Sequence, residues 1–323
     1  MEQILQHIKT HQRILIASHA EPDGDCLGSL VALGLALGKL DKTITLFNSS
    51  PIPAVYRFLP GVERIVKQIK EAKEYDLAVV LDCGDILRVG EDSSVVEQIP
   101  ILINIDHHVS NTGFGDIQLI DTNACATAEL VYRLIEALEI PFDKAIATAI
   151  YLGILTDTGS FRFSNTNPAA FAISKAMIDI GVEPHTVAQR VFGTYSLGRI
   201  KLLNMALNSI EISENGKLSL MTISRSMLNS TGTSTEDIDG LINYARRIED
   251  VKVAALIHEI KNGAGKFTNM NRYHVSLRSD STVDVATIAN KFGGGGHTSA
   301  AGFQIESTLV ALKEKIIQLA DKL

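Results

Sequence analysis

Apolar residues in the first half of the chain come in short, nearly continuous runs. Residues 13–18 (RILIAS), 43–47 (TITLF), 77–81 (LAVVL) and 101–105 (ILINI) each read as a strand, and polar residues close three of them: His19, Asp82 and Asp106. Continuous rather than alternating runs imply strands covered on both faces, hence a mostly parallel sheet. Between them, residues 26–40 predict a helix rich in small residues (Gly28, Ser29, Ala32, Gly34, Ala36) that can lie close on a sheet. Helical patterns follow at 126–138, 143–155, 168–180, 184–192 and 196–208. From residue 210 the pattern changes to hairpins: 209–213 with 218–223 around Asn215-Gly216, and 253–260 with 273–278 around Asn262-Gly263. Residues 236–248, 283–291 and 309–323 are helix-like, and a further strand is predicted near Phe303. The pattern describes an α/β domain over residues 1–190, its mostly parallel sheet flanked by helices. A helical connector over 191–208 then leads to a smaller α+β domain over 209–323.

Composition narrows the partners. The 323 residues are 46% hydrophobic and 21% charged, an ordinary globular balance with ample core for two domains. The formal charge of -7 and the lack of any basic block beyond Arg246-Arg247 argue against a grip on long duplex DNA, whose affinity comes largely from neutralised phosphates. A nucleic-acid substrate would be short and held locally. Residues 1–10 show no signal-peptide core, and the most apolar stretch, 27–37, is about half the ~20 residues a membrane span needs. Cys26, Cys83 and Cys125 form neither a disulfide framework nor a close metal pair, which points to a reducing cytoplasm.

The candidate chemistry sits where strands end, the place at which open α/β sheets bind ligands. His19, Asp23 and Asp25 share a loop that Pro22 and Gly24 force to turn; alone, such a loop is equally a turn with a helix-capping aspartate. Asp82 and Asp106 could be solvated turn residues. The adjacent imidazoles of His107 and His108 point to opposite sides of an extended segment and do not both serve packing. Asp157 lies in a long apolar helical stretch, where an unpaired carboxylate demands a cation or a proton. Only carboxylate and imidazole are offered, a set suited to Mn(II), Mg(II), Fe or Co rather than to a thiolate zinc site. Later in the chain, Gly293 to Gly296 precede His297 as a flexible loop or a backbone cradle for phosphate, and Arg278 ends a strand as an edge charge or an anion fork.

Taken together, His19-x3-Asp23-x-Asp25, Asp82, Asp106-His107-His108 and Asp157 resemble the four metal-site motifs of the DHH phosphoesterase superfamily. Ser276-Leu277-Arg278-Ser279 and the glycine run with His297, followed by Ala300-Ala301-Gly302, resemble its DHH-associated C-terminal domain. The likeness is greatest to the bifunctional oligoribonuclease and pAp phosphatase branch. It implies an active site in the cleft between two domains and two divalent cations, Mn(II) first, then Mg(II) or Co(II). One ion would be held by His19, Asp23, Asp82 and Asp157, the other by Asp25, Asp82 and His107, with Asp82 bridging. His108 would contact the scissile phosphate and Asp106 would support the histidines. Arg278, Gly294, Gly295, Gly296 and His297 would hold substrate. The implied reaction is two-metal hydrolysis of short RNA to 5'-mononucleotides and of pAp to AMP. The same residues would serve cyclic-di-AMP or pApA hydrolysis, and a nucleotide-binding regulator on this scaffold should have lost ligands. A family II pyrophosphatase would not need the glycine run, and a RecJ-type exonuclease would be longer. A homodimer is the base-rate expectation.

Overall fold

The computed structural model describes residues 1–193, 195–260, 270–280, 282–296 and 298–323, with two compact units, Met1–Thr194 and Tyr195–Leu323. The first unit runs α1 (Glu2–Thr10), β1 (Arg13–Ser18), α2 (Gly24–Leu37), β2 (Thr43–Phe47), β3 (Ile65–Val66), β4 (Leu77–Leu81), α3 (Ser93–Glu97) and β5 (Leu102–Asp106). It continues with β6 (Ile117–Ile120), α4 (Thr127–Ala137), α5 (Lys144–Asp157), α6 (Pro168–Ile180) and α7 (Pro184–Phe192). Its six strands form one sheet in the order β3-β2-β1-β4-β5-β6, and each neighbouring pair is parallel.

This order decides where the chemistry lies. The chain builds outward from β1 through β2 to β3, then returns to the other side of β1 with β4. The segments leaving β1 and β4 therefore diverge and open a crevice at the carboxyl ends of these two central strands. His19 follows β1 and Asp82 follows β4 at that point.

Both faces of the sheet are covered, as continuous apolar strands require. Ile14, Ile16, Val79, Ile103 and Ile105 face the layer of α2, α4 and α5, and Leu15, Ala17, Phe47 and Val80 face Val89, Val96 and Ile99. Helices α2 and α5 approach at Gly28 and Gly153: a Cβ on Gly28 would lie 2.5 Å from the Ala149 carbonyl. A Cβ on Gly153 would lie 2.6 Å from Ala128 Cβ and 2.8 Å from Asp25 Oδ1.

The second unit begins with α8 (Leu197–Asn208), β7 (Glu211–Ile212), β8 (Leu218–Ile223), α9 (Arg225–Thr231), α10 (Ile242–Arg246) and β9 (Val253–Ile260). It ends with β10 (Asn271–Ser279), α11 (Val285–Asn290), β11 (Gly295–Gly296), β12 (Ala300–Ser307) and α12 (Leu309–Ile317). The sheet order is β11-β12-β10-β9-β8-β7, with β8 and β9 parallel and the other pairs antiparallel. Helix α8, read from sequence as part of a connector, buries Leu202 and Ala206 against Met221, Ile223 and Leu256 of this sheet. Residues 236–248 form no single helix: a 3-10 turn, Thr235–Ile238, is separated from α10 by Gly240, whose φ of 79° breaks the helical course. The Asn262-Gly263 turn and His297 lie outside the described residues. Among the described residues no helix is long and apolar enough to cross a membrane.

Candidate metal centre

The loop from β1 and the first turn of α2 carry three donors, His19 and Asp25 buried and Asp23 exposed. Asp23 is the N-cap of α2, its Oδ1 accepting from the Cys26 amide at 2.9 Å, so the capping role allowed by the sequence is real. It coexists with a second one, because donor atoms of His19, Asp23 and Asp82 lie within 4.8 Å of one another. His19 donates Nδ1–H to the Ala20 carbonyl at 2.8 Å, which turns Nε2 toward Asp82 Oδ2, 3.5 Å away. Such a bond to the far ring nitrogen fixes the tautomer that leaves Nε2 able to ligate.

Asp25, in the first turn of α2, is fully buried and works at a distance. Helix α4 has Ala126 as its N-cap and therefore lacks a capping side chain of its own. The Asp25 carboxylate substitutes for it, Oδ2 accepting from the Thr127 amide at 2.6 Å and Oδ1 from the Ala128 amide at 2.9 Å. A carboxylate at a helix N-terminus is favoured by the dipole as well as by these bonds. Ser29 Oγ adds a third donor at 3.2 Å.

Asp82 sits between the two halves. Its φ of 57° is left-handed, a conformation uncommon outside glycine, asparagine and aspartate, and it bends the chain as soon as β4 ends. Its Oδ2 faces His19, while Oδ1 accepts from Thr127 Oγ1 at 3.0 Å and faces His107 Nε2 at 3.8 Å and His108 Nδ1 at 3.6 Å. One carboxylate thus addresses two donor sets with different oxygens.

His107 repeats the His19 arrangement. Nδ1–H donates to the Ala124 carbonyl at 3.2 Å, and Nε2 lies 3.6 Å from Asp157 Oδ2 and 3.9 Å from Asp25 Oδ2. The resemblance implies Asp157 beside His19 and Asp23; in the structure the donor atoms of Asp157 gather with those of Asp25 and His107. The reason is packing. Asp157 is the last residue of α5, and that helix lies against α2 with Gly153 beside the Asp25 carboxylate. His108 belongs to another pair, its Nδ1 2.5 Å from Asp106 Oδ1.

Three positioning residues gave no sequence signal. Thr127 bonds both Asp25 and Asp82. Asn111 donates to Asp106 Oδ2 at 2.6 Å and thereby aims the residue that orients His108. Asn165 donates Nδ2 to Asp157 Oδ2 at 2.9 Å and to the Cys125 carbonyl at 2.8 Å. Amides and hydroxyls of this kind are found only when the fold shows what they face.

The electrostatics test whether cations fit. Burial, then Asp82 and Asp157, pushes Asp25 well above the usual carboxylate range, and burial, offset by His107, raises Asp157 to about 7. Burial works against charging His107, but Asp82, Asp157 and Asp25 outweigh it and raise it to about 9. His19 is raised too, burial being overcome by Cys26, Asp82 and Asp23. Asp82 is lowered, burial being outweighed by His19 and His108. Crowded buried carboxylates that otherwise take up protons, facing imidazole nitrogens with fixed tautomers, suit hard to borderline divalent cations. Cys26 and Cys83 are buried thiols raised by burial, with Cys83 at about 12, and neither belongs to these donor groups.

In the second unit Arg278 is half-buried on β10, its Nη1 donating to the carbonyl of the preceding residue, Leu277, at 3.0 Å. Burial lowers its pKa, opposed by Asp239 and reinforced by Arg246. Two glycines of the run have packing reasons of their own. A Cβ on Gly294 would meet the Gly302 carbonyl at 2.1 Å, and Gly296, with φ 145°, lies against the Ala300 carbonyl. Gly295 has ordinary room, its nearest neighbour being Asn290 Oδ1 at 3.6 Å.

Residues 13–154 match the DHH family N-terminal domain and residues 219–323 the DHHA1 domain. Over 293 residues the chain is 33% identical to the bifunctional oligoribonuclease and PAP phosphatase NrnA of Thermus thermophilus, covering 90% of this chain and 83% of that protein. The chain belongs to the DHH family. Another relative, the protein of the same name from Bacillus subtilis, is 25% identical over 94% of this chain and 93% of its own length. Among solved structures, an exopolyphosphatase-related protein from Bacteroides fragilis superimposes with a TM-score of 0.88 at 25% identity, covering 98% and 96% of the two chains. Within this DHH family member the matched N-terminal domain carries every donor of the centre except Asp157, which lies three residues past its end.

Proposed function

We propose that the chain is a metal-dependent phosphoesterase that releases 5'-mononucleotides from short oligoribonucleotides and converts pAp to AMP. The names borne by the Thermus and Bacillus relatives support this reading. The observation that carries it is Asp82, whose Oδ2 faces His19 and whose Oδ1 faces His107.

His19, Asp23 and Asp82 would hold one divalent cation, and Asp25, Asp82, His107 and Asp157 the other, with Mn(II) the best match to the donors. When bound, such a pair supplies Lewis acidity and lowers the pKa of a water to the neutral range. The chain's own part is placement. Ala20 and Ala124 carbonyls keep both histidines in the ligating tautomer, and Thr127 fixes the bridging carboxylate. Asp106, aimed by Asn111, orients His108, which we assign to an oxygen of the scissile phosphate. We assign Arg278, the Gly294–296 amides and His297 to the substrate's other phosphate or base. The acidic net charge disfavours long duplexes, and the three free, buried cysteines suit a reducing cytoplasm.

Purified protein assayed with Mn(II) should hydrolyse dinucleotide RNA and pAp, read as mononucleotide or phosphate release. Turnover of pApA or cyclic-di-AMP alone would move the assignment to that branch. No turnover of these or of pyrophosphate would defeat the enzyme reading.

A further inference from the structure

The proline-punctuated segment after β2 plays no part in the metal centre, yet it builds one wall of a cavity of about 390 Å³ lined by Ala54, Val55, Arg57, Phe58 and Arg190. Rigid elements hold both arginines. Pro53 precedes a 3-10 turn, Ala54–Tyr56, and Tyr56, Phe58 and the buried Leu59 anchor the segment on the core of the first unit. Arg57 donates Nε to the Ile52 carbonyl at 2.9 Å, which orients the guanidinium and leaves its two terminal nitrogens as a fork. Arg190 stands in the last turn of α7, between Val187 and Val191, which are buried in the same core.

A lone arginine there would be a solvated charge complementing its helix's carbonyl end. Both arginines are solvent-exposed at one cavity, its lining contains no carboxylate, and neither has an ion pair among the described residues. The arrangement suits an anion, and fork geometry favours phosphate. Val55 and Phe58 add an apolar surface against which a base can lie. In a parallel sheet all strands point their carboxyl ends to one edge, so the segment leaving β2 springs from the same edge as His19, one strand away.

We infer that Arg57 and Arg190 form a phosphate subsite for nucleotides of an oligoribonucleotide beyond the scissile bond, so that the chain grips RNA of several residues more firmly than a dinucleotide or pAp. This rests on the oligoribonucleotide reading above. The ligand class is a phosphodiester-linked nucleotide; a free mononucleotide offers the same phosphate chemistry, and the test separates the two.

Binding of labelled RNAs of two and five nucleotides, of pAp and of AMP is measured by anisotropy and competition on full-length protein carrying Asp82→Ala to prevent turnover. The comparison is with Arg57→Ala/Arg190→Ala in the same background, and with Arg57→Gln/Arg190→Gln should the alanine pair unfold. The expected result is at least about a tenfold loss for the five-mer, with dinucleotide and pAp unchanged. The slope of log affinity against log salt for the five-mer should fall by about 1.4, as for two contacts to a single strand. Equal losses for every ligand, no loss for the five-mer, or a loss confined to AMP would each overturn the inference. Wild-type protein that turns over no RNA would instead defeat the oligoribonuclease reading, while the five-mer binding comparison would still decide the subsite.

Discussion

At the carboxyl edge of the first sheet, Asp25, Asp82 and Asp157 are packed so closely that burial and mutual repulsion drive two of them toward the protonated form. On the second sheet, Arg278 and the glycines of residues 293–296 are half-buried or exposed, and packing already accounts for Gly294 and Gly296. The first region has a physical debt that only a proton or a cation discharges. In the second, packing explains two glycines and leaves Arg278 and Gly295 to be assigned. Function is therefore argued from necessity in one unit and from assignment in the other, and substitutions should respond differently.

The largest contrast is expected at Asp82. Asp82→Ala removes the carboxylate shared by both donor sets and should lower kcat on the order of 10³-fold, the scale of losing one major electrostatic stabiliser. Asn165→Ala touches a ligand rather than a cation and should weaken Mn(II) affinity by about 10–100-fold, measured by metal titration. A larger loss of kcat, at saturating Mn(II), in Asn165→Ala than in Asp82→Ala would break the ordering.

In the second unit two neighbouring glycines sharpen the other side. Gly294→Ala drives a methyl group into backbone and should destabilise by about 1–3 kcal/mol in chemical denaturation. Gly295→Ala has room, so its melting temperature should not move. A rise in KM of about tenfold at Gly295 would report a backbone contact to substrate, worth roughly 1.5 kcal/mol. Unchanged kinetics there would leave the run a packing device.

A separate effect is a pH dependence away from the metal centre. His258 on β9 is stacked on His274 at 5.1 Å, and its buried Nδ1 has no hydrogen-bond partner among the described residues. Burial, then His274, lowers its pKa to about 4. The folded value lies below the unfolded one of about 6.5, so the unfolded chain takes up the proton first. Stability contributed by neutral His258 is complete above about pH 6.5 and is lost as pH falls toward 4. His258→Leu should flatten that part of the curve in denaturant titrations across the window, and an unchanged slope would contradict it.

Much of this was legible where one physical rule acted alone. Continuous apolar runs located β1, β2, β4 and β5, and their polar ends located His19, Asp82 and Asp106. Helix α1 was missed because only Ile4 and Ile8, one turn apart, are buried. β6 was missed because its short, half-exposed residues give neither a continuous nor an alternating run. The pairing of Asp157 depends on which face of α5 meets α2, a matter of helix packing that strand-end logic does not reach. Thr127, Asn111 and Asn165 are ordinary polar residues until the fold shows the carboxylates they hold.

Asp25 has one more consequence. Its two oxygens close off two amides that open α4, a helix that begins 102 residues later and whose N-cap residue, Ala126, offers no capping side chain. Replacing the carboxylate by an amide would turn a donor against one of those N–H groups. The carboxylate assigned to a cation is thus also one on which the start of α4 rests. Substitution at this position should therefore cost stability as well as metal affinity, even in protein never supplied with a cation.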